Sequence, residues 1–209
     1  QGTHSLSVAD VDNDGFDEVI FGSAVMDHNG NVLNSTGHGH GDALHVSDFN
    51  NDGEQEIMMV HEEKTYYRNY GAEVRKGKDA SIIANVGASS DCGRGIMGNV
   101  DDAYASENPS VPSLFWSAAN DNVYDSSGNT VTRTVTTTDD GSTVTREENA
   151  PRPSSYNFLI YWDGDLGREL LDRNRIEKYS VQDGTQRLET FSGVHYNNSS
   201  KATLALSGD

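Results

Sequence analysis

HSLSVADVDNDGFDEVIF, residues 4–21, is followed 38 residues later by DALHVSDFNNDGEQEIMM, residues 42–59. Leu6 aligns with Leu44, Val8 with Val46, Asp10 with Asp48, Asp14 with Asp52, Gly15 with Gly53 and Glu18 with Glu56. Each copy runs from apolar residues at alternate positions, through an acidic loop, to a second apolar stretch at residues 19–21 or 57–59. Alternation is the period of a strand, and self-similarity at this spacing marks a repeat architecture.

Fainter copies follow. Loop starts at Asp10, Asp48, Asn99, Asp163 and Asp209 lie 38, 51, 64 and 46 residues apart, so four units fit and a fifth begins at Asp209. Residues 114–117 and 122–124 read as strands of the third unit. Helical periodicity is poor everywhere, with a turn or two expected at most over residues 166–172. The fold class expected is all-β, built of propeller blades, about four blades of a larger ring. The widest gap holds NTVTRTVTTTDDGSTVTRE, whose β-branched residues alternate about Asp140-Gly141, a hairpin dipeptide, and this predicts a polar hairpin at residues 130–146.

The chain has 209 residues with 33 acidic and 15 basic side chains, a net charge of −18 that repels a phosphate backbone and argues against nucleic-acid binding. Apolar content of 34 % together with 21 glycines is that of a folded protein rather than an acidic tail. The longest apolar run, residues 158–162, is far short of the roughly 20 residues that span a bilayer, so no membrane segment is expected. A lone Cys92 excludes an internal disulfide framework and a CxxC metal knuckle.

The strongest chemical constellation is D-x-D-x-D-G-x-x-E. Asp10, Asp12, Asp14 and Glu18, with the carbonyl of Phe16, form an oxygen-rich loop suited to Ca2+, and Gly15 allows the tight turn. Asp48, Asn50, Asp52 and Glu56, with the carbonyl of Glu54, repeat it in register. The closing acid falls at position nine rather than twelve, so neither loop is an EF-hand. Asp163, Asp165 and Glu169 are a third candidate set, and the one around Asn99 and Asp101 is weak. An Asx-turn with solvated acids is the competing reading of any single loop. His4, His38, His40, Asp42 and His45 cluster at two strand starts, where transition-metal binding competes with strand-capping roles, the latter favoured by spacing alone.

The succession GTHSLSVADVDNDGFDEVIFGSAV, GHGHGDALHVSDFNNDGEQEI, MVHE, GAEVR, CGRGIMGNVD, PSSYNFLIYWDGDLGRELLDRNRIEKY and NNSSKAT resembles the catalytic β-propeller of the rhamnogalacturonan lyases of polysaccharide lyase family eleven. The resemblance covers nearly the whole chain. It implies an eight-bladed propeller with bound calcium that cleaves rhamnogalacturonan-I of pectin by β-elimination, secreted or extracellular. It implies further that His4, His40 and Asp42 line a calcium-bearing cleft, and that Asn198, Ser199 and Ser200 contact sugar with Lys201 just after them. Ser199 and Ser200 depart from the Gly and Thr of the family pattern, and the Thr-rich hairpin is an insertion. Lys201 and His45 are the candidate general bases. The family's chains extend beyond both Gln1 and Asp209, so residues 1–209 are expected to be a partial propeller, inactive alone, whose partners are the remaining blades or an assembly covering its open faces. A non-catalytic calcium-stapled propeller for carbohydrate binding, adhesion or assembly is the alternative.

Overall fold

The computed structural model describes residues 3–192. Its strands form four successive antiparallel sheets and one separate hairpin. β1 (Leu6–Ala9), β2 (Glu18–Phe21), β3 (Ala24–Met26) and β4 (Val32–Ser35) pair in chain order, as do β5 (Leu44–Ser47), β6 (Glu56–Val60), β7 (Ala72–Lys76) and β8 (Ile82–Val86). The third sheet is β9 (Gly95–Gly98), β10 (Leu114–Ser117) and β11 (Tyr124–Asp125). After the hairpin β12 (Thr132–Asp139) and β13 (Ser142–Asn149), a fourth sheet comprises β14 (Phe158–Ile160), β15 (Glu169–Asp172), β16 (Arg175–Ser180) and β17 (Gly184–Thr190). The all-β expectation holds.

The sheets stack in sequence, and each adjoining pair buries its own core. Ile20 and Val25 meet Leu44 and Ile57 between the first two sheets. Met58, Val60 and Val74 meet Met97, Phe115 and Tyr124 between the second and third. Ile96, Leu114 and Trp116 meet Leu170 and Tyr179 between the third and fourth. Neighbouring residues such as Ile57 and Met58 thus feed opposite cores, which is why β6 is buried along its whole length and residues 57–60 read as a continuous apolar run. The leading strands are neighbours: β1 contacts β5, β5 contacts β9 and β9 contacts β14.

The first sheet differs on its outer side. Direct cross-strand partners share a face, so the pairs Leu6 with Phe21, Val8 with Val19, Val19 with Met26 and Met26 with Val32 put these residues on one side. Leu6 is 58 % exposed and Val8 55 %, and Phe21, Met26 and Val32 are exposed as well. One face of this sheet is therefore packed and the other is open and apolar.

Two helices depart from expectation: α1 (Lys64–Tyr70), between β6 and β7, and α2 (Asp102–Glu107), between β9 and β10. Neither buries a residue, so neither shows an apolar stripe. The helical turn expected at residues 166–172 is instead loop followed by β15, because Leu170 and Leu171 pack on opposite sides of a sheet. The strand expected at residues 122–124 begins only at Tyr124. In the hairpin, Asp140 and Gly141 both have positive φ, 47° and 81°, as a two-residue turn matched to strand twist requires. No helix among the described residues is long and apolar enough to cross a membrane.

Candidate metal centres and cleft

The first two acidic loops share one geometry. Asp10 takes the amides of Asp14 and Gly15, one on each carboxylate oxygen, at 3.1 and 3.0 Å, and Asp48 does the same for Asp52 and Gly53 at 3.0 and 2.9 Å. Asp12 and Asn50 each accept the amide two residues on, from Asp14 and Asp52. Left-handed backbone at Asn13 and Gly15, and again at Asn51 and Gly53, turns these groups inward. At the far side, the closing glutamates Glu18 and Glu56 each take one amide, from Val11 and Phe49, on Oε2.

The other oxygen of each glutamate is left differently placed. Glu18 Oε1 and Glu56 Oε1 are buried and have no hydrogen-bond donor. Burial, reinforced by the neighbouring aspartates, raises the pKa of Glu18 and pushes that of Glu56 up to about 7. A buried unpaired carboxylate oxygen amid further carboxylates is the condition that a hard, oxygen-seeking cation relieves. Asp10, Asp12 and Glu18 lie within reach of one ion, and Asp14 and Glu18 converge also with His28, which stacks on the Phe16 ring at 4.6 Å. Spacing gave no hint of His28. The side chain of Glu54 is engaged outside its loop by Lys76, at 2.8 Å, and by Lys78.

The third loop departs from this pattern. Asp163, Asp165 and Glu169 converge, and Glu169 Oε1 is again buried without a donor. Here, however, the Lys178 ammonium from β16 lies 2.5 Å from Asp163 and also bonds Asp165. These bonds raise the Lys178 pKa and, with the amide of Asp165, lower that of Asp163. The loop carries its own cation. Lys178→Ala is expected to raise its calcium affinity, read as an additional calorimetric binding event. Around Asn99 no such loop forms: Asp101 caps α2 through the amides of Ala103 and Tyr104, and also accepts from Val181.

His4, His40, Asp42 and Glu62 form a different centre, with all four ligand atoms within 4.8 Å of one another. His4 Nδ1 bonds the buried Asp42 carboxylate, and His40 Nδ1 lies 2.7 Å from Glu62. The strand-capping reading of these histidines therefore gives way to a shared cluster. Gly93 lies against it, where an added Cβ would come within 2.9 Å of Glu62 Oε1 and 3.7 Å of Asp42 Oδ2. Glu62 was not predicted, because it enters from the end of β6, remote in sequence from His4.

This cluster borders a cleft of about 440 Å³, where His4 and Asp42 meet His45, Asn157 and Arg168. Arg168 lies with Cζ 5.3 Å above the Tyr161 ring and donates from Nε to the Tyr161 hydroxyl. His45 Nε2 donates to the Gly95 carbonyl at 3.1 Å. Burial first, then Arg168, lowers the His45 pKa to about 4. The unfolded chain thus protonates at this position first, near pH 6.5, so the contribution of the neutral ring is whole above that value and is lost as pH falls toward about 4. Urea midpoints are expected to drop more steeply across this window in the wild type than in His45→Asn, and parallel profiles would contradict the assignment. Asn198, Ser199, Ser200, Lys201 and Asp209 lie outside the described residues.

Residues 1–209 match the family described as rhamnogalacturonan lyase family 11, C-terminal domain. The chain is 41 % identical over 211 residues to the rhamnogalacturonan endolyase YesW of Bacillus subtilis strain 168, covering all of this chain and 30 % of that protein. It is 39 % identical over 218 residues to the exolyase YesX of the same strain, covering 99 % of this chain and 32 % of YesX. The crystal structure of YesW superposes with a TM-score of 0.75 at 39 % identity, over 97 % of this chain and 30 % of that one. A Bacillus licheniformis rhamnogalacturonan lyase of PL11 gives 0.75 at 40 % identity, over the same shares. The chain spans about a third of the length of these relatives.

Proposed function

The chain belongs to rhamnogalacturonan lyase family 11, and from that premise we propose that it supplies part of the cleft of a calcium-dependent lyase acting on rhamnogalacturonan-I by β-elimination. The observation that carries the reading is the convergence of His4, His40, Asp42 and Glu62 at the edge of a cleft whose lining includes Arg168. Such an elimination needs neutralisation of the uronate carboxylate, a base for the proton alpha to it, and help for the departing rhamnose oxygen. Calcium taken by the oxygens of Asp42 and Glu62, in a cleft lined by His4 and His40, would acidify that proton as a Lewis acid.

The chain's own groups supply the rest. The Arg168 guanidinium matches a uronate carboxylate in charge and planar shape. His45 is neutral at working pH but, with a pKa near 4, accepts a proton poorly. That favours Lys201 as the base, with the segment Asn198, Ser199 and Ser200 holding the sugar. The loops opening at Asp10 and Asp48 take structural calcium, supported by their unpaired buried glutamate oxygens.

The four sheets are four blades of a larger propeller, the rest of which comes from the remainder of the protein. Successive contacts between leading strands and the open apolar face of the first sheet support this arrangement. An external polymeric substrate places the protein outside the cell. The test is the full-length protein with rhamnogalacturonan-I and calcium, followed by the ultraviolet absorbance of the unsaturated uronate. Asp42→Ala is expected to lower the rate more than about 100-fold with the fold retained. A flat wild-type trace with binding intact would favour the non-catalytic carbohydrate-binding module instead.

A further inference from the structure

A second histidine cluster shares no ligand with the first, although His61 adjoins Glu62 and His38 lies two residues from His40. His38 precedes β5 in the link from β4, His61 follows β6, and Glu73 lies in β7, and their ligand atoms are all within 4.8 Å of one another. His38 Nδ1 is 2.5 Å from Glu73 Oε2, and His61 Nε2 is 3.8 Å from the same oxygen. His61 is fully buried, and its ring nitrogens make no hydrogen bond in good geometry, having only the Glu73 carboxylate at 3.8 Å and the His38 backbone near them. Buried polar groups are almost always paired, so an imidazole aimed at a carboxylate and left short of it calls for a ligand.

The surroundings are built to hold this group in place. Arg75 Nη1 donates to Glu73 Oε1 at 2.9 Å and Nη2 donates to the Gly22 carbonyl at 2.7 Å, which fixes the carboxylate with Oε2 turned toward both imidazoles. Such outer partners orient metal ligands and tune their affinity. The His38 ring stacks on Tyr70 of α1 at 3.9 Å and keeps 18 % of its side-chain surface exposed. A hydrogen bond between His38 and Glu73 alone explains those two residues and leaves His61 without a role.

We propose that His38, His61 and Glu73 bind a first-row transition metal of the zinc type, separate from the calcium chemistry of the acidic loops. Two imidazoles and one carboxylate are a borderline donor set that suits zinc, whereas calcium takes oxygens. The bound metal would tie the link before β5 to the corner where β6 meets α1.

The experiment is a cobalt titration of the full-length protein with calcium in excess, reading the visible d–d absorption of four-coordinate cobalt and, after zinc loading, metal content. One tight equivalent is expected. His40→Asn, which disables the cleft cluster, should keep the signal; Glu73→Gln should abolish it, and His38→Asn should weaken binding by about tenfold or more. If the buried Glu73→Gln variant does not fold, His38→Asn, altered at a partly exposed ring, decides alone. Absence of the band, or a band insensitive to His38→Asn and lost with His40→Asn, would overturn the proposal.

Discussion

Excess chelator is expected to lower the melting temperature of the calcium-loaded chain by on the order of 10 °C. Asp10, Asp12, Asp14 and Glu18 set four carboxylates in one short loop, and the second loop repeats the arrangement with Asn50 in place of one of them. A ligand that binds only the folded state at about 100 times its dissociation constant adds roughly 2.7 kcal/mol, and two such sites add about 5. In a chain of this size each kcal/mol moves the melting point by roughly 2–4 °C. Asp12→Ala and Asn50→Ala should each reproduce about half of the shift, because each removes a candidate ligand from one of the two loops, while the amides of Asp14 and Asp52 keep Asp10 and Asp48 as acceptors. Much of what remains in either variant should vanish on chelation. A melt unchanged in excess chelator would mean that the loops stand on their internal hydrogen bonds alone.

The shared geometry of those two loops was legible because all their polar groups fall within nine consecutive residues, where spacing is geometry. The strands flanking them were legible for a similar reason: alternation at residues 6–9 and an apolar run at residues 57–59 report burial on one face or on two. Both helices escaped because a helix that buries nothing has no 3.6-residue apolar period. Three tyrosines in α1 look no more helical than they would in a strand. The turn expected near Leu166 failed for a related reason, since adjacent Leu170 and Leu171 read equally well as part of a helix or as a strand covered on both sides.

The cleft was harder to read. His4, His40 and Asp42 were named by family resemblance, whereas their spacing alone favoured scattered capping roles. Glu62 and Arg168 join only through the stacking of sheets, as does Lys178, whose ammonium fills the third acidic loop from a strand fifteen residues beyond Asp163. No local pattern announces that a lysine will reach into this loop. The poorly hydrogen-bonded nitrogens of His61 are likewise a property of the packed core, invisible in a motif that contains a single histidine.

Residues 1–209 produced alone are expected to self-associate and to cleave rhamnogalacturonan at least about 100-fold more slowly than the full-length protein. Leu6, Val8, Phe21, Met26 and Val32 present one contiguous apolar face, and surfaces of this kind are rarely left to water in a monomer. Its terminal strands β1 and β4 also carry no further strand of their own sheet among the described residues. On the function proposed above, groups from the rest of the protein would position substrate against His4, Asp42 and Arg168, and an error of about 1 Å in that placement lowers rates by about 100-fold. The face can be tested directly. Leu6→Lys with Val8→Lys should turn the isolated chain toward a monomer in light scattering, yet destabilise the full-length protein, where the same charges would be buried against the next sheet. An isolated wild-type chain that is monomeric and fully active would show that the open face needs no cover and that the cleft is complete within these residues.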